Sequence, residues 1–258
     1  MKFSHLSALL LLLSWVSPSV ILANDDHGDD DDDGLLLVTC GSAVKLSHLE
    51  SKTATGMEHF LSSEGNRNLG SGSGQQIVTA VSSTTTTTTT NTLWWIRGPN
   101  DESRFDNDNN DNANANGVAA CTQGVAQPIA CGSVIRLSHL ESLRNLHSHN
   151  VKSPLSRQQE VSAFGEGDGD GDNGDDWRVV CSNSNSSNGG KNYWERSSVV
   201  SFQHVDSGAY LGASSTVKFT HQNCGHNCPI LNHLEVFGRK QKDHFGNWVA
   251  EMGVHLSK

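Results

Sequence analysis

An all-β fold closed on itself with pseudo-threefold symmetry is predicted by three features of this sequence. The first is an internal repeat. Cys40 to Ser51 reads CGSAVKLSHLES and Cys131 to Ser142 reads CGSVIRLSHLES, differing only at Ala43/Val134, Val44/Ile135 and Lys45/Arg136. The second is a fainter third copy, in which Val200 to Ser207, VSFQHVDS, follows the order of Val44 to Ser51. This places His48, His139 and His204 at equivalent positions. The third is period-two alternation, Val44 and Leu46 against Lys45 and Ser47, and Ile135 and Leu137 against Arg136 and Ser138, the mark of half-buried strands. Three copies of about four short strands each suggest closure, since an open solenoid would want more repeats and dedicated caps.

Taken in chain order, Met1 to about Ala23 reads as a secretory leader, with Lys2, an apolar run from Leu6 to Val16, and a small residue at the expected cut. The apolar run is too short to span a bilayer comfortably, and no later stretch reads as a membrane span. Residues 24–34 form an acidic, flexible segment. Repeats are expected at about 35–98, 125–181 and 191–250. In each, a strand (Ile77–Val81, Glu160–Phe164, Glu235–Phe237) leads to a tryptophan: Trp95, Trp177 and Trp248. Glycines 41, 70, 72, 74, 132 and 165 punctuate the strands as turns. No amphipathic helix is expected beyond the N-terminus. Thr84 to Thr90, Asn100 to Asn116 and Ser182 to Gly190 lack the apolar content that offsets ordering entropy and read as expanded loops. Asn185-Ser186-Ser187 is an N-glycosylation acceptor.

The formal charge is -10 and becomes -11 once Lys2 leaves with the leader. That excludes nucleic acid and anionic membrane surfaces as partners, because both need cationic patches. The acidic runs Asp25–Asp33 and Glu166–Asp176 read as solvated. Six cysteines beyond a leader imply disulfides, with fifteen possible full pairings.

A family resemblance rests on literal strings. Arg144-Asn145-Leu146-His147-Ser148-His149, Ser153-Pro154-Leu155-Ser156, Gln159-Glu160-Val161-Ser162-Ala163-Phe164-Gly165 and Asp175-Asp176-Trp177 make the chain similar to the MIR-domain proteins of the stromal cell-derived factor 2 type. Val38-Thr39-Cys40-Gly41-Ser42, Gly70 to Gln76 and Trp95-Ile96-Arg97-Gly98 are matching pieces in the first repeat. The resemblance implies a β-trefoil of three MIR repeats. It implies a non-enzymatic co-chaperone of the endoplasmic reticulum lumen that works with a DnaJ-type protein and the lumenal Hsp70 on unfolded clients. In some lineages it implies association with protein O-mannosylation. The family's Leu-His-Ser-His pattern survives only at His147-Ser148-His149. Phe60-Leu61-Ser62-Ser63 stands in its place in the first repeat, and Tyr210 to Ser214 in the third. The chain closes on Val254 to Lys258 without a KDEL-like retrieval signal, so residence in the lumen is expected to depend on a retained partner, with secretion as the alternative.

The candidate ligand site is Arg144, Leu146, His147, Ser148 and His149, with Glu160. Two histidines at i and i+2 on a strand share a side. With Ser148 and Arg144 they could hydrogen-bond a hydroxyl-rich or carboxylate ligand such as a glycan, or they could brace a hairpin. His48, His139 and His204 read as structural. His221 to Cys228 offers zinc-type ligands, although an oxidising lumen favours a disulfide there. Glu166 to Asp176 resembles a calcium loop but has Trp177 where the bidentate Glu belongs and no flanking helices. Gly70 to Gly74 misses the esterase elbow register, and there is no phosphate loop and no Gln-x-Trp lectin signature. No metal, cofactor or catalytic residue is therefore expected.

Overall fold

The computed structural model describes residues 37–84, 89–105, 118–124, 126–166, 170–182 and 192–255. The expected leader, the acidic segment, most of the Thr run and of the Asn/Asp-rich stretch, and Asn185 lie outside the described residues. Among those described there are thirteen strands and two short α-helices. The first repeat supplies β1 (Ser42–His48), β2 (His59–Asn68), β3 (Gln76–Ser82) and β4 (Trp94–Arg97). A two-residue strand, β5 (Val118–Ala119), follows. The second repeat supplies β6 (Ser133–His139), β7 (Asn145–Lys152), β8 (Gln159–Phe164) and β9 (Trp177–Cys181). The third supplies β10 (Val199–His204), β11 (Tyr210–Lys218), β12 (Leu234–Arg239) and β13 (Trp248–His255).

Six strands close a ring, every pairing antiparallel: β1 with β4, β4 with β6, β6 with β9, β9 with β10, β10 with β13, and β13 back to β1. Closure leaves no open edge to template aggregation. The remaining strands form three hairpins, β2–β3, β7–β8 and β11–β12. Their second strands pair with one another in a triangle, β3 with β8, β8 with β12 and β12 with β3. The lead-in segments close a second triangle. Val38 N donates to Trp194 O at 2.9 Å, Ile129 N to Val38 O at 3.0 Å, and Trp194 N to Ile129 O at 2.8 Å. Each of these residues lies ten positions ahead of His48, His139 or His204, so the backbone itself carries the threefold spacing.

The core is layered in threes. Leu46, Leu137 and Phe202 form one set, Leu61, Leu146 and Leu211 another, and Trp94, Trp177 and Trp248 a third, all fully buried. Each indole N–H donates to the carbonyl of its repeat's hairpin leucine: Trp94 to Leu61 at 3.0 Å, Trp177 to Leu146 at 2.8 Å and Trp248 to Leu211 at 3.0 Å. A buried indole needs such a partner. The expected Trp95 is corrected here. Trp94 is the repeat's tryptophan, and Trp95 is partly exposed, with Arg97 over its ring.

Two short helices are present among the described residues, neither of them an amphipathic helix of the kind the sequence is read to lack. The connection from His48 to Phe60 is six residues longer than those from His139 to Asn145 and from His204 to Tyr210, and helix α1 (Leu49–Thr55) takes up the excess. His48 caps its start and Gly56, at φ 73°, ends it in the left-handed region. The insertion shifts the comparison of repeats. Leu61-Ser62-Ser63-Glu64, one residue on from the expected tetrapeptide, matches Leu146-His147-Ser148-His149. A single turn of helix, α2 (His221–Cys224), sits between β11 and β12.

Cys40 pairs with Cys121, Cys131 with Cys181, and Cys224 with Cys228. The first two pack on the barrel core, and the third closes its own loop. The zinc alternative at His221 to Cys228 is thus displaced by a disulfide. No helix among the described residues is long and apolar enough to cross a membrane.

Candidate functional site

The three equivalent histidines are frame, as read from the sequence. The Nδ1 of each receives a backbone N–H three residues on, from Ser51 at 3.3 Å, Ser142 at 3.4 Å and Ser207 at 3.3 Å. The Nε2 of each meets a carbonyl, Phe245 at 3.0 Å, Asn91 at 3.2 Å and Gly174 at 3.0 Å. Those carbonyls lie three residues before Trp248, Trp94 and Trp177, and each imidazole also rests on that tryptophan. An acceptor at Nδ1 and a donor at Nε2 describe the neutral ring, and burial holds all three imidazoles below their ordinary pKa.

His147 and His149 are different, and only the second repeat carries them. The strand alternation of β7 puts both on one side, with ring centroids 4.9 Å apart. They join a row of polar contacts. Asp175 Oδ1 lies 2.8 Å from His147 Nδ1, His147 Nε2 lies 3.1 Å from His149 Nδ1, and His149 Nε2 lies 3.2 Å from Glu160 Oε1. Asp172 Oδ1 stands 3.5 Å from His147 Nδ1. The carboxylates are held from behind. Asp175 accepts from Asn145 Nδ2 at 3.1 Å and Asp172 N at 3.0 Å; Glu160 accepts from Ser73 N at 3.2 Å and from the Ser73 hydroxyl. The row has three links, running from Asp175 through the two imidazoles to Glu160.

Three glycines allow this packing. A Cβ on Gly72 would lie 1.8 Å from a Glu160 oxygen, one on Gly171 would lie 1.6 Å from an Asp175 oxygen, and one on Gly174 would lie 2.4 Å from the His147 ring. Gly72 also has φ +77°.

The row borders an open cavity of about 640 Å³ lined by Gln75, His147, Ser148, His149, Asp172 and Ser207 among others. His149, with a side chain 26 % exposed, is presented to solvent, whereas that of His147 is 4 % exposed. The other sequence candidates fall into place around it. Ser148 Oγ donates to the Glu160 carbonyl at 2.7 Å and accepts from Gln159 Nε2 at 2.8 Å. Leu146 is core. Glu160 is buried and anchors the neighbouring hairpin. Arg144 offers its backbone carbonyl to His139 N at 2.7 Å, and its guanidinium is no part of the row. Sequence reasoning missed Asp172, Asp175, Asn145 and Ser73.

The acidic run, expected to be solvated, is corrected at its end. The side chains of Asp175 and Asp176 are both fully buried. Asp176 accepts from Asn100 N at 2.9 Å and Arg104 Nη1 at 2.9 Å, yet burial outweighs both and pushes its carboxyl up to about 6. A signal was available, since both acids directly precede a barrel tryptophan. His147, Asp172 and Asp175 also have the donor types of a metal site, all within 4.8 Å. Asp175 accepts from Asn145 and meets His147, while Asp172 Oδ1 accepts from Gly174 N at 2.8 Å.

The MIR domain model matches residues 38–227, most of the chain, so this strand ring capped by hairpins is that of a MIR-domain protein. The human stromal cell-derived factor 2-like protein 1 is 33 % identical over 229 residues, 89 % of this chain and 83 % of that one. The crystal structure of the SDF2-like protein from Arabidopsis thaliana is similar with a TM-score of 0.61 at 29 % identity, over 86 % of this chain and 98 % of that one. The S. cerevisiae protein O-mannosyltransferase Pmt1-Pmt2 complex bound to the sugar donor has a chain that shares the fold, with a TM-score of 0.61 at 23 % identity over 86 % of this chain and 26 % of its own. The chain belongs to the stromal cell-derived factor 2 family.

Proposed function

We propose that this chain is a non-enzymatic adaptor of protein quality control, a β-trefoil of three MIR repeats that binds a DnaJ-type co-chaperone, the lumenal Hsp70 and unfolded clients. The observation that carries it is family membership across most of both chains. Three disulfides fit an oxidising lumen, which supports the endoplasmic reticulum or the secretory route beyond it. Affinity purification of the tagged protein from its own cells, with mass spectrometry of what accompanies it, tests the reading. Co-purifying Hsp70 and DnaJ-type partners are expected; their absence, with the protein in the medium, sinks it.

A second reading is favoured by the cavity beside His149. Its polar lining suits a hydroxyl-rich ligand, so a glycan is the natural probe. Binding on a glycan array that is lost in His149→Ala, with unchanged circular dichroism, supports it. A silent array counts against it. A third, an accessory role in protein O-mannosylation, has only the shared fold behind it and is tested by co-purification with that membrane enzyme.

A further inference from the structure

The disulfides are of two kinds. Cys40–Cys121 and Cys131–Cys181 join residues 81 and 50 apart and pack on the barrel core. Cys224–Cys228 joins residues 4 apart in the loop between β11 and β12. Both its cysteines are partly exposed, and Gly225, His226 and Asn227 between them are exposed.

Hydrogen bonds hold the loop in addition to the disulfide. Thr220 N donates to Asn223 Oδ1 at 2.8 Å, Asn223 Nδ2 to Lys218 O at 3.0 Å and Cys224 N to Thr220 O at 2.9 Å. At its base, Phe219 N donates to His233 O at 2.9 Å. The reduced and oxidised loops are therefore both compatible with the fold.

Access is open as well. Cys224 lines a cavity of about 570 Å³ with Leu69, Ile77, Leu155, Phe219 and Ile230, residues drawn from all three hairpins. His226 lies between the cysteines in sequence, and its ring centroid is 6.1 Å from that of His221.

We propose that Cys224 and Cys228 are an exchangeable pair that passes a disulfide to reduced polypeptides. A client thiolate attacks Cys224 Sγ, forming a mixed disulfide, and Cys228 leaves as thiolate and takes up a proton. A second client thiolate then attacks the client sulfur of the mixed disulfide, releasing Cys224. The client dithiol is oxidised by two electrons, and the pair is reduced to the dithiol. A low-molecular-weight disulfide such as oxidised glutathione restores it, leaving as two thiols. This activity goes beyond the adaptor reading and needs none of that reading's partners.

The test uses the full oxidised chain, titrated in glutathione buffers of graded ratio, with thiols mapped by differential alkylation and mass spectrometry. Cys224 and Cys228 are expected to open while the other four cysteines stay paired and circular dichroism is unchanged. The reduced pair should be reoxidised by oxidised glutathione faster than a single-cysteine peptide, because the second thiol of the loop completes the exchange within the same chain. Cys228→Ser should trap glutathione on Cys224. Reduced ribonuclease should refold faster with the wild-type chain than with Cys224→Ser/Cys228→Ser. The proposal is overturned if the three disulfides open together on unfolding, if the rate equals that of the peptide, or if the reduced loop takes up one zinc ion instead.

Discussion

Buried imidazoles set the pH response of this protein. Burial lowers His48, His139 and His204, and brings His233, bonded to Thr79 Oγ1 at 3.0 Å, down to about 4. The unfolded chain binds these protons near 6.5 and the folded chain does not, so stability is complete above 6.5 and is lost as the pH falls toward 4. Asp176, raised to about 6 from 3.8, works in the opposite sense, since the folded chain holds its proton more tightly and stability falls as pH rises across that window. His59 is lowered by burial as well, and five imidazoles outweigh one carboxyl. Urea denaturation at pH 6.5 and at pH 4 should show a lower midpoint at the acid end, and His233→Gln should remove up to about 3 kcal/mol of the difference. An equal midpoint at both values contradicts the assignment. The His48, His139 and His204 set was legible because the sequence repeats it. His233 was not, because its burial comes from a neighbouring hairpin.

At the scale of elements, hairpins are tied by carboxylates, two of them buried. Glu160 on β8 holds the β2–β3 tip through Ser73. Glu235 on β12 holds the β7–β8 tip, accepting from Leu155 N at 2.6 Å and Ser156 N at 2.8 Å. Glu50 on α1 holds β11 through Ser215 N at 2.9 Å. Hydrogen bonds to a charged group are worth about 1.5–3 kcal/mol. Glu235→Gln should therefore speed hydrogen exchange at the Leu155 and Ser156 amides before it affects the barrel strands, and uniform protection would argue against a local anchor. The tryptophans divide in the same way. Trp177→Phe leaves the Leu146 carbonyl without its donor and should cost about 1–3 kcal/mol in chemical denaturation, whereas Trp95→Phe should cost about 0.5 kcal/mol. The pattern of strands β3, β8 and β12 leading to a tryptophan was readable. Which of two adjacent tryptophans faces inward was not, because the choice depends on the phase of a four-residue strand between two neighbours.

For the whole molecule, closure comes from strand pairing and the cross-links tighten it. In the chain-entropy account, bonds joining residues 81 and 50 apart contribute about 4–5 kcal/mol each and one joining residues 4 apart about 2 kcal/mol. Cys40→Ala/Cys121→Ala should thus lower the melting temperature far more than Cys224→Ser/Cys228→Ser, as read by calorimetry. Similar losses from both would mean that the loop disulfide carries the fold.

The sequence alone determined the all-β class, the family and the structural histidines, because each is written locally, in alternation, in repetition and in literal strings. Tertiary structure decided what depends on residues far apart in the chain. It paired the cysteines, brought Asp175 and Glu160 to the two ends of the His147–His149 pair, and buried Asp175 and Asp176 at the close of an acidic run. Such contacts are fixed by closing the ring and stacking the hairpins, and no window of a few residues records which partners that closure will bring within hydrogen-bonding distance.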